Sequence, residues 1–242
     1  MKTNYLTHLA LITTLAMATA HAKTINFSGY TWDVRNEASG GPGPNRWDEN
    51  NVWVDWQGQL HLKIANRNGQ WSSAELFLRQ RLGFGTYQFK LIGRPDWFDD
   101  NVVLGLFSYT RPDIGPDGTN EIDIELSRWG SAGNPVGNYG VFPAVRGYPQ
   151  AVRAFHMGLN GDYTTHRFFW TPYQITFQSL HGHQDGNENE MSRWQFSPAD
   201  YYQRVPQNAL PIHMNLWLYQ GMPPKNGQEV EIIISEFKFI PA

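Results

Sequence analysis

Residues 120–130 read NEIDIELSRWG. Glu121, Asp123 and Glu125 alternate here with Ile122, Ile124 and Leu126, a period of two that predicts a half-buried β-strand. Successive side chains of a strand point to opposite sides of its sheet. The branched apolar residues therefore belong against a core, and three carboxylates share the other face. Like charges set side by side on one face repel, so the pattern calls for a use that offsets the repulsion.

The rest of the chain has the same texture. Val52-Trp53-Val54 and Leu60-His61-Leu62-Lys63-Ile64 flank a turn at Gln57-Gly58 and read as a hairpin. AELFLRQ, GTYQFKLIG, VVLGLFSYT, HRFFW, YQITFQSL, HMNLWLY and EVEIIISEFKF follow, each of strand length and several rich in aromatic or β-branched residues. No amphipathic helical run stands out. The spacing predicts an all-β sandwich, with surface loops at Ala38–Asn50, Arg111–Asn120 and Gly182–Arg193 and one turn of helix around Ser197–Tyr202. In the last strand Val230, Ile232 and Ile234 share one phase and Phe237 and Phe239 the other, which calls for a bulge near Ser235 or burial of both faces.

Composition narrows the class. The 242 residues are 40% hydrophobic and 17% charged with a net charge of -3, which fits a soluble globular chain of one or two domains. Lys and Arg are scattered, and no basic block tracks a phosphate backbone, so nucleic acid is not an expected partner. The first 22 residues, MKTNYLTHLALITTLAMATAHA, carry an early Lys2, an apolar run over about Leu9–Ala20 and a small-x-small end at Ala20-His21-Ala22. They read as a signal peptide, with the mature chain starting near Lys23 as one domain over 23–242, secreted or periplasmic and free of the membrane once cleaved. The apolar run is too short to span a bilayer. With no cysteine there are neither disulfides nor a cysteine-linked lipid anchor, so stability must come from a large core.

Carboxylates on one strand face are suited to acid/base chemistry. Cα atoms four apart on a strand are roughly 13 Å apart, yet two Glu side chains leaning together bring their carboxyls much closer. Retaining glycosidases need the pair only about 5 Å apart, one as nucleophile and one as acid/base. Crowding of like charges holds a proton on one while its partner ionises, and Asp123 between them would share a proton with the nucleophile. Two other readings of the same spacing are a solvated acidic face and a calcium site, although three carboxylates of one strand rarely converge on one ion without loop carbonyls.

The run GLFSYTRPDIGPDGTNEIDIE, followed by THRFFWTPYQITF and then HMNLWLY before the last strand, resembles family 16 of the glycoside hydrolases, the bacterial β-glucanases of the lichenase type above all. The matching order runs from Phe84-Gly85-Thr86-Tyr87 to Phe239. The resemblance implies a concanavalin A-like β-jelly-roll of two antiparallel sheets with a glycan lying in a concave groove. It implies Glu121 as nucleophile, Asp123 as its helper and Glu125 as acid/base, and the unbulged motif leans to lichenase-like rather than laminarinase-like members. A structural calcium occurs on the convex side of some relatives, but no ligands for one can be picked out in this sequence; no metal or other cofactor is expected at the site. Departures fall where that family contacts substrate: SRWG after the motif, LYQGMPPKNG after Trp217 without a second tryptophan, and HGHQDGNENE in place of an Asp-Gly turn.

With 10 Trp and 11 Tyr the chain has ample aromatic surface for the apolar faces of sugars. Trp217 matches the family's cleft tryptophan. Trp129, Arg128, Tyr109, Asn120 and Trp97 are the other expected substrate contacts, while Trp170 is assigned to the core. His181 and His183 form an i, i+2 pair with no third ligand and read as loop surface. The expected activity is endo-cleavage of a β-linked polysaccharide, β-glucan favoured, by a monomer; a transglycosylase and a non-catalytic lectin-like domain are the alternatives. Neutral aromatic candidates favour an uncharged polymer, with Arg128 or Arg111 as groups that would meet a sulfate or carboxylate.

Overall fold

A computed structural model describes residues 23–242, and the leader assigned to residues 1–22 lies outside the described residues. Two antiparallel sheets carry the chain. The first runs, in spatial order, Thr24–Phe27, Tyr30–Val34, Ala74–Leu78, Ile212–Leu218, Val102–Ser108, Glu121–Ser127, Gly137–Phe142 and Ala151–Phe155. The second runs Glu190–Phe196, Ile175–His181, Tyr163–Trp170, Gly85–Ile92, Val230–Pro241, Leu60–Arg67 and Val52–Val54, with Gln70–Ser72 paired to Leu60–Arg67. Ile212–Leu218 lies beside Val102–Ser108 although far from it in sequence, so the chain crosses between the sheets, the jelly-roll arrangement of a β-sandwich.

The apolar face of each strand turns inward. Ile122, Ile124 and Leu126 are fully buried with Leu104, Leu106, Met214 and Leu216 from the same sheet and Tyr87, Phe89, Phe168, Phe177, Ile232 and Ile234 from the other. Trp170 belongs to this core, and its indole N–H donates to the Pro206 carbonyl at 2.9 Å, which satisfies its one polar atom. The change of phase in the last strand is a bulge: the register with Gly85–Ile92 shifts between Ile234 and Glu236, so Ser235 is the extra residue.

Short strands escaped the sequence reading. The segment 38–50, expected as one loop, contains the paired strands Glu37–Gly40 and Asn45–Trp47 and a 3-10 turn at Glu49–Asn51, and the end of the 182–193 loop begins the edge strand Glu190–Phe196. The helical turn sits at Tyr201–Arg204, just beyond the expected Ser-Pro start. The two short strands lie in a Gly- and Pro-rich stretch and the edge strand is largely polar, so no apolar alternation marked them.

One polar network crosses the core. Tyr139 of the first sheet donates to Ser179 Oγ of the second at 2.8 Å; Ser179 Oγ contacts His166 Nδ1 at 2.8 Å, and His166 Nε2 contacts Thr164 Oγ1 at 3.0 Å. Every member has a partner, so a buried imidazole is tolerated without a charge. Burial pushes the His166 pKa down to about 3. Since the unfolded histidine titrates near 6.5, its contribution to stability is complete above that pH and is lost as pH falls toward 3. Between pH 6 and pH 4 the unfolded chain takes up a proton that the fold refuses, a slope of about 1.4 kcal/mol per pH unit. His166→Gln should remove that slope whatever its effect at neutral pH. Urea unfolding at pH 6, 5 and 4 measures it, and parallel slopes in variant and wild type would refute the assignment.

Candidate active site

The strand Glu121–Ser127 lies between Val102–Ser108 and Gly137–Phe142, so neighbours reach its outer face from both sides. The cross-strand register sets Asp123 beside Phe107 and Gly140, and Glu125 beside Gly105 and Asn138. The next strand out continues these rows with His213 beyond Phe107 and Asn215 beyond Gly105, and Phe77 and Glu75 follow. Two glycines make room for the acids. A Cβ on Gly140 would stand 2.9 Å from Asp123 Oδ2, and one on Gly105 would collide with Asn215 Oδ1. Any larger residue at either position would displace a polar group of the site.

Burial governs the charges. Asp123 is 3% exposed, and Glu121 and Glu125 are half-buried. Burial, then the charge of Glu125, pushes Glu121 up, while a hydrogen bond from Asp123 pulls the other way, so that Glu121 and Asp123 titrate as one pair. Burial alone pushes Glu125 up to about 7. Asp123 is held well above its ordinary value by burial and by the charges of Glu121 and Glu125. Asp123 and Glu121 are hydrogen-bonded to each other, so one proton held between them leaves the pair with a single negative charge. Glu125, farther along the strand, takes up and releases a proton near neutrality.

These side chains form part of the floor of a groove of about 1000 Å³ along the outer face of the first sheet. Trp217 and Trp129 close one side, ring centroids 6.2 Å apart and edge to face, and Tyr219 packs edge-on against Trp129 at 5.8 Å. Trp129 is brought over by a turn in which it takes a left-handed backbone (φ 52°) ahead of Gly130, its N–H bonded to Ser127 Oγ at 3.0 Å. Tyr109 lines the groove beyond the Glu121 end of the strand and donates to Asp117 at 3.4 Å; burial, then Glu121 and Asp117, raise it to about 12.

Three expected contacts lie elsewhere. Arg128 donates to the carbonyls of Phe98 and Asp96 at 3.2 and 2.9 Å, tying the 96–98 turn to the end of the acidic strand, and does not line the groove. Trp97 is 72% exposed under the Arg94 guanidinium, 3.5 Å from its ring centre, again outside the groove. Asn120 is buried, with a left-handed backbone (φ 55°) and its amide donating to Thr119 Oγ1 and the Ala144 carbonyl; it sets the turn into the strand. Arg111 does not line the groove either. Arg128 and Asn120 adjoin the acidic motif in sequence, but strand alternation and the course of the turns carry their side chains away.

Other lining groups were missed. Glu75 accepts from Arg35 at 2.7 Å and pairs with His213 Nδ1 at 2.9 Å; burial pushes it up, but the bond and charge of His213 and the charge of Arg35 outweigh this and hold it below its ordinary value. The His213 ring packs between Phe77 at 5.3 Å and Phe107 at 5.1 Å. The alternation of AELFL and HMNLW held the signal, since Glu75 and Phe77 share one phase and His213, Asn215 and Trp217 another; which face met the groove depended on the pairing. No group of three or more His, Asp or Glu side chains placed to hold a metal ion occurs among the described residues.

No family model matches the chain, and no curated protein matches it in sequence. Solved structures do match in fold. A β-glucanase from Bacillus licheniformis is 19% identical, covering 93% of this chain and 100% of its own at a TM-score of 0.66. A glycoside hydrolase family 16 endo-glucanase from Bacteroides ovatus is 14% identical, covering 87% and 94% at a TM-score of 0.64. An immunostimulatory antigen and pseudo β-1,3-glucanase of Mycobacterium tuberculosis is 18% identical, covering 87% and 91% at 0.63. The chain has the jelly-roll fold that these proteins share.

A group raised above its unfolded value disfavours the ionised fold. Glu125, up from 4.5 to about 7, lowers stability as pH rises through that window and not below it. Glu125→Gln should therefore raise stability, and with it the melting temperature, by an amount that grows between pH 4.5 and 8, on the order of 3 kcal/mol at the upper end. Thermal melts across that range check it, and a gain equal at pH 4.5 and pH 8 would contradict the assignment.

Proposed function

We propose that this chain is a secreted, endo-acting glycoside hydrolase of the family 16 type, cleaving β-linked glucan with retention of configuration. The observation that carries the reading is the buried Glu121–Asp123–Glu125 face in an open groove with aromatic walls. The fold alone does not carry it, because a protein described as a pseudo β-1,3-glucanase has the same one. A groove that only bound sugar would have no use for three half-neutralised carboxylates kept from water at a cost in stability.

The chemistry follows from the division of protons. Glu121, anionic and held by the Asp123 hydrogen bond, attacks the anomeric carbon as protonated Glu125 gives its proton to the departing glycosidic oxygen. The C–O bond to the leaving chain breaks, and a glycosyl ester forms on Glu121. Charge thereby leaves Glu121, which lowers the affinity of Glu125 for a proton when it must act as a base. Glu125 then takes a proton from water, whose oxygen attacks the same carbon from the opposite side and frees Glu121. Two inversions give net retention. Trp217 and Trp129 offer ring faces and edges to the sugar, and Asn215 and Asn138 offer amides to its hydroxyls. Export at Ala22–Lys23 and action as a monomer, without metal or cofactor, complete the reading.

Reducing-end release on mixed-linkage β-glucan, laminarin, xyloglucan, agarose and carrageenan tests it. The mature protein should act on a β-glucan, Glu121→Gln should lose about 10³-fold or more, and NMR should show the β-anomer first. Inactivity of the folded wild type on every polymer, or a turnover unaffected by Glu121→Gln, would refute the assignment.

A further inference from the structure

We propose that Asp117, on the Arg111–Asn120 loop, is a specificity-determining residue that turns anionic glycans away from the groove. The inference rests on the glycan-cleaving reading of the groove and adds a device for selecting among glycans.

The argument is an account of charge. Five carboxylates line the groove, those of Glu75, Asp117, Glu121, Asp123 and Glu125, against one guanidinium, Arg35. Arg35 is spent: Nη1 donates to Glu75 Oε2 and to the Gly41 carbonyl, both at 2.7 Å, its Nε and Nη2 reach Glu37, and its plane lies 4.4 Å over the Trp47 ring. These contacts take four of its five N–H groups, and the one left cannot hold a sulfate or carboxylate bidentately. Glu75 is in turn matched by Arg35 and His213, and the triad shares protons among its members. Asp117 differs from all of these. It is exposed, makes no ion pair among the described residues, and touches only the Tyr109 hydroxyl, at 3.4 Å. Its charge is felt at the reacting end of the groove, for it raises both Glu121 and Tyr109. The exposed charge at the rim of the groove is therefore negative and has no cation matched to it among the described residues. A buried polar atom without a partner is suited to a neutral ligand: Asn215 lines the groove and is 3% exposed, and its Oδ1 has no partner although it abuts the gap left by Gly105. A carbonyl oxygen seeks a hydroxyl donor, which a sugar ring supplies and a sulfate or carboxylate substituent does not.

A second loop acid serves as the control. Asp113 also lies on the loop but is bound bidentately to Arg81 at 2.7 and 3.0 Å and does not line the groove. The experiment is affinity electrophoresis of the mature protein through gels holding unmodified mixed-linkage β-glucan or its carboxymethylated derivative, at low and at 0.5 M salt. Wild type should bind the carboxymethylated polymer about five-fold more weakly at low salt, with most of the gap closed by salt. Asp117→Asn should narrow the low-salt gap about three-fold, and Asp113→Asn should leave it unchanged. An equal grip on both polymers, or a gap that Asp117→Asn leaves intact, would overturn the proposal and leave the glucanase reading standing. Failure to retain either polymer would overturn both.

Discussion

Burying three carboxylates on one strand face is possible only because they share protons, and the rest of the site is arranged around that sharing. A fully ionised triad would set three charges along a single strand with little water to screen them. Asp123, the most deeply buried, is hydrogen-bonded to Glu121, so one proton held between them reduces the charge of the pair and fixes its orientation in one step. Gly140 and Gly105 leave the space this needs. The cost is a lowered stability above the ordinary carboxylate range, a trade between stability and function common at catalytic sites.

Such a site needs a support that does not yield. The opposite face of the same strand supplies it, with Ile122, Ile124 and Leu126 fully buried against the second sheet. The Tyr139–Ser179–His166–Thr164 chain adds a directional tie between the sheets, one strand away from the acids. A packed core fixes distance and hydrogen bonds fix register, so the carboxylates ride on a surface that resists both sliding and parting.

The walls of the groove come from remote parts of the chain. Trp217 and His213 arrive on a late strand, Glu75 on an early one, and Trp129 and Asp117 on the two turns that bracket the acidic strand. Arg128 shows the converse: a residue just past the motif in sequence whose side chain serves the scaffold, bonded to the backbone carbonyls of Phe98 and Asp96. Nearness along the chain is a poor guide wherever a turn intervenes, because a turn redirects each side chain by its own dihedrals.

The sequence by itself determined what depends on local periodicity. The alternation of Glu121–Leu126 specified a strand with one acidic face, the strand-length apolar segments specified a sandwich, and the change of phase after Ile234 marked an irregularity that the strand pairing resolved as a bulge at Ser235. Trp217 and Tyr109 were legible as groove residues because they too lie on or beside well-marked strands. Only the tertiary structure decided which strands became neighbours, and with that the pairing of Glu75 with His213 and Arg35, the gaps at Gly105 and Gly140, and the placement of Asn120 in a turn. Periodicity says which residues share a face, since it is a property of a single strand. Which faces meet is settled by pairings between distant segments, where the energy lies in contacts that no short stretch of chain contains.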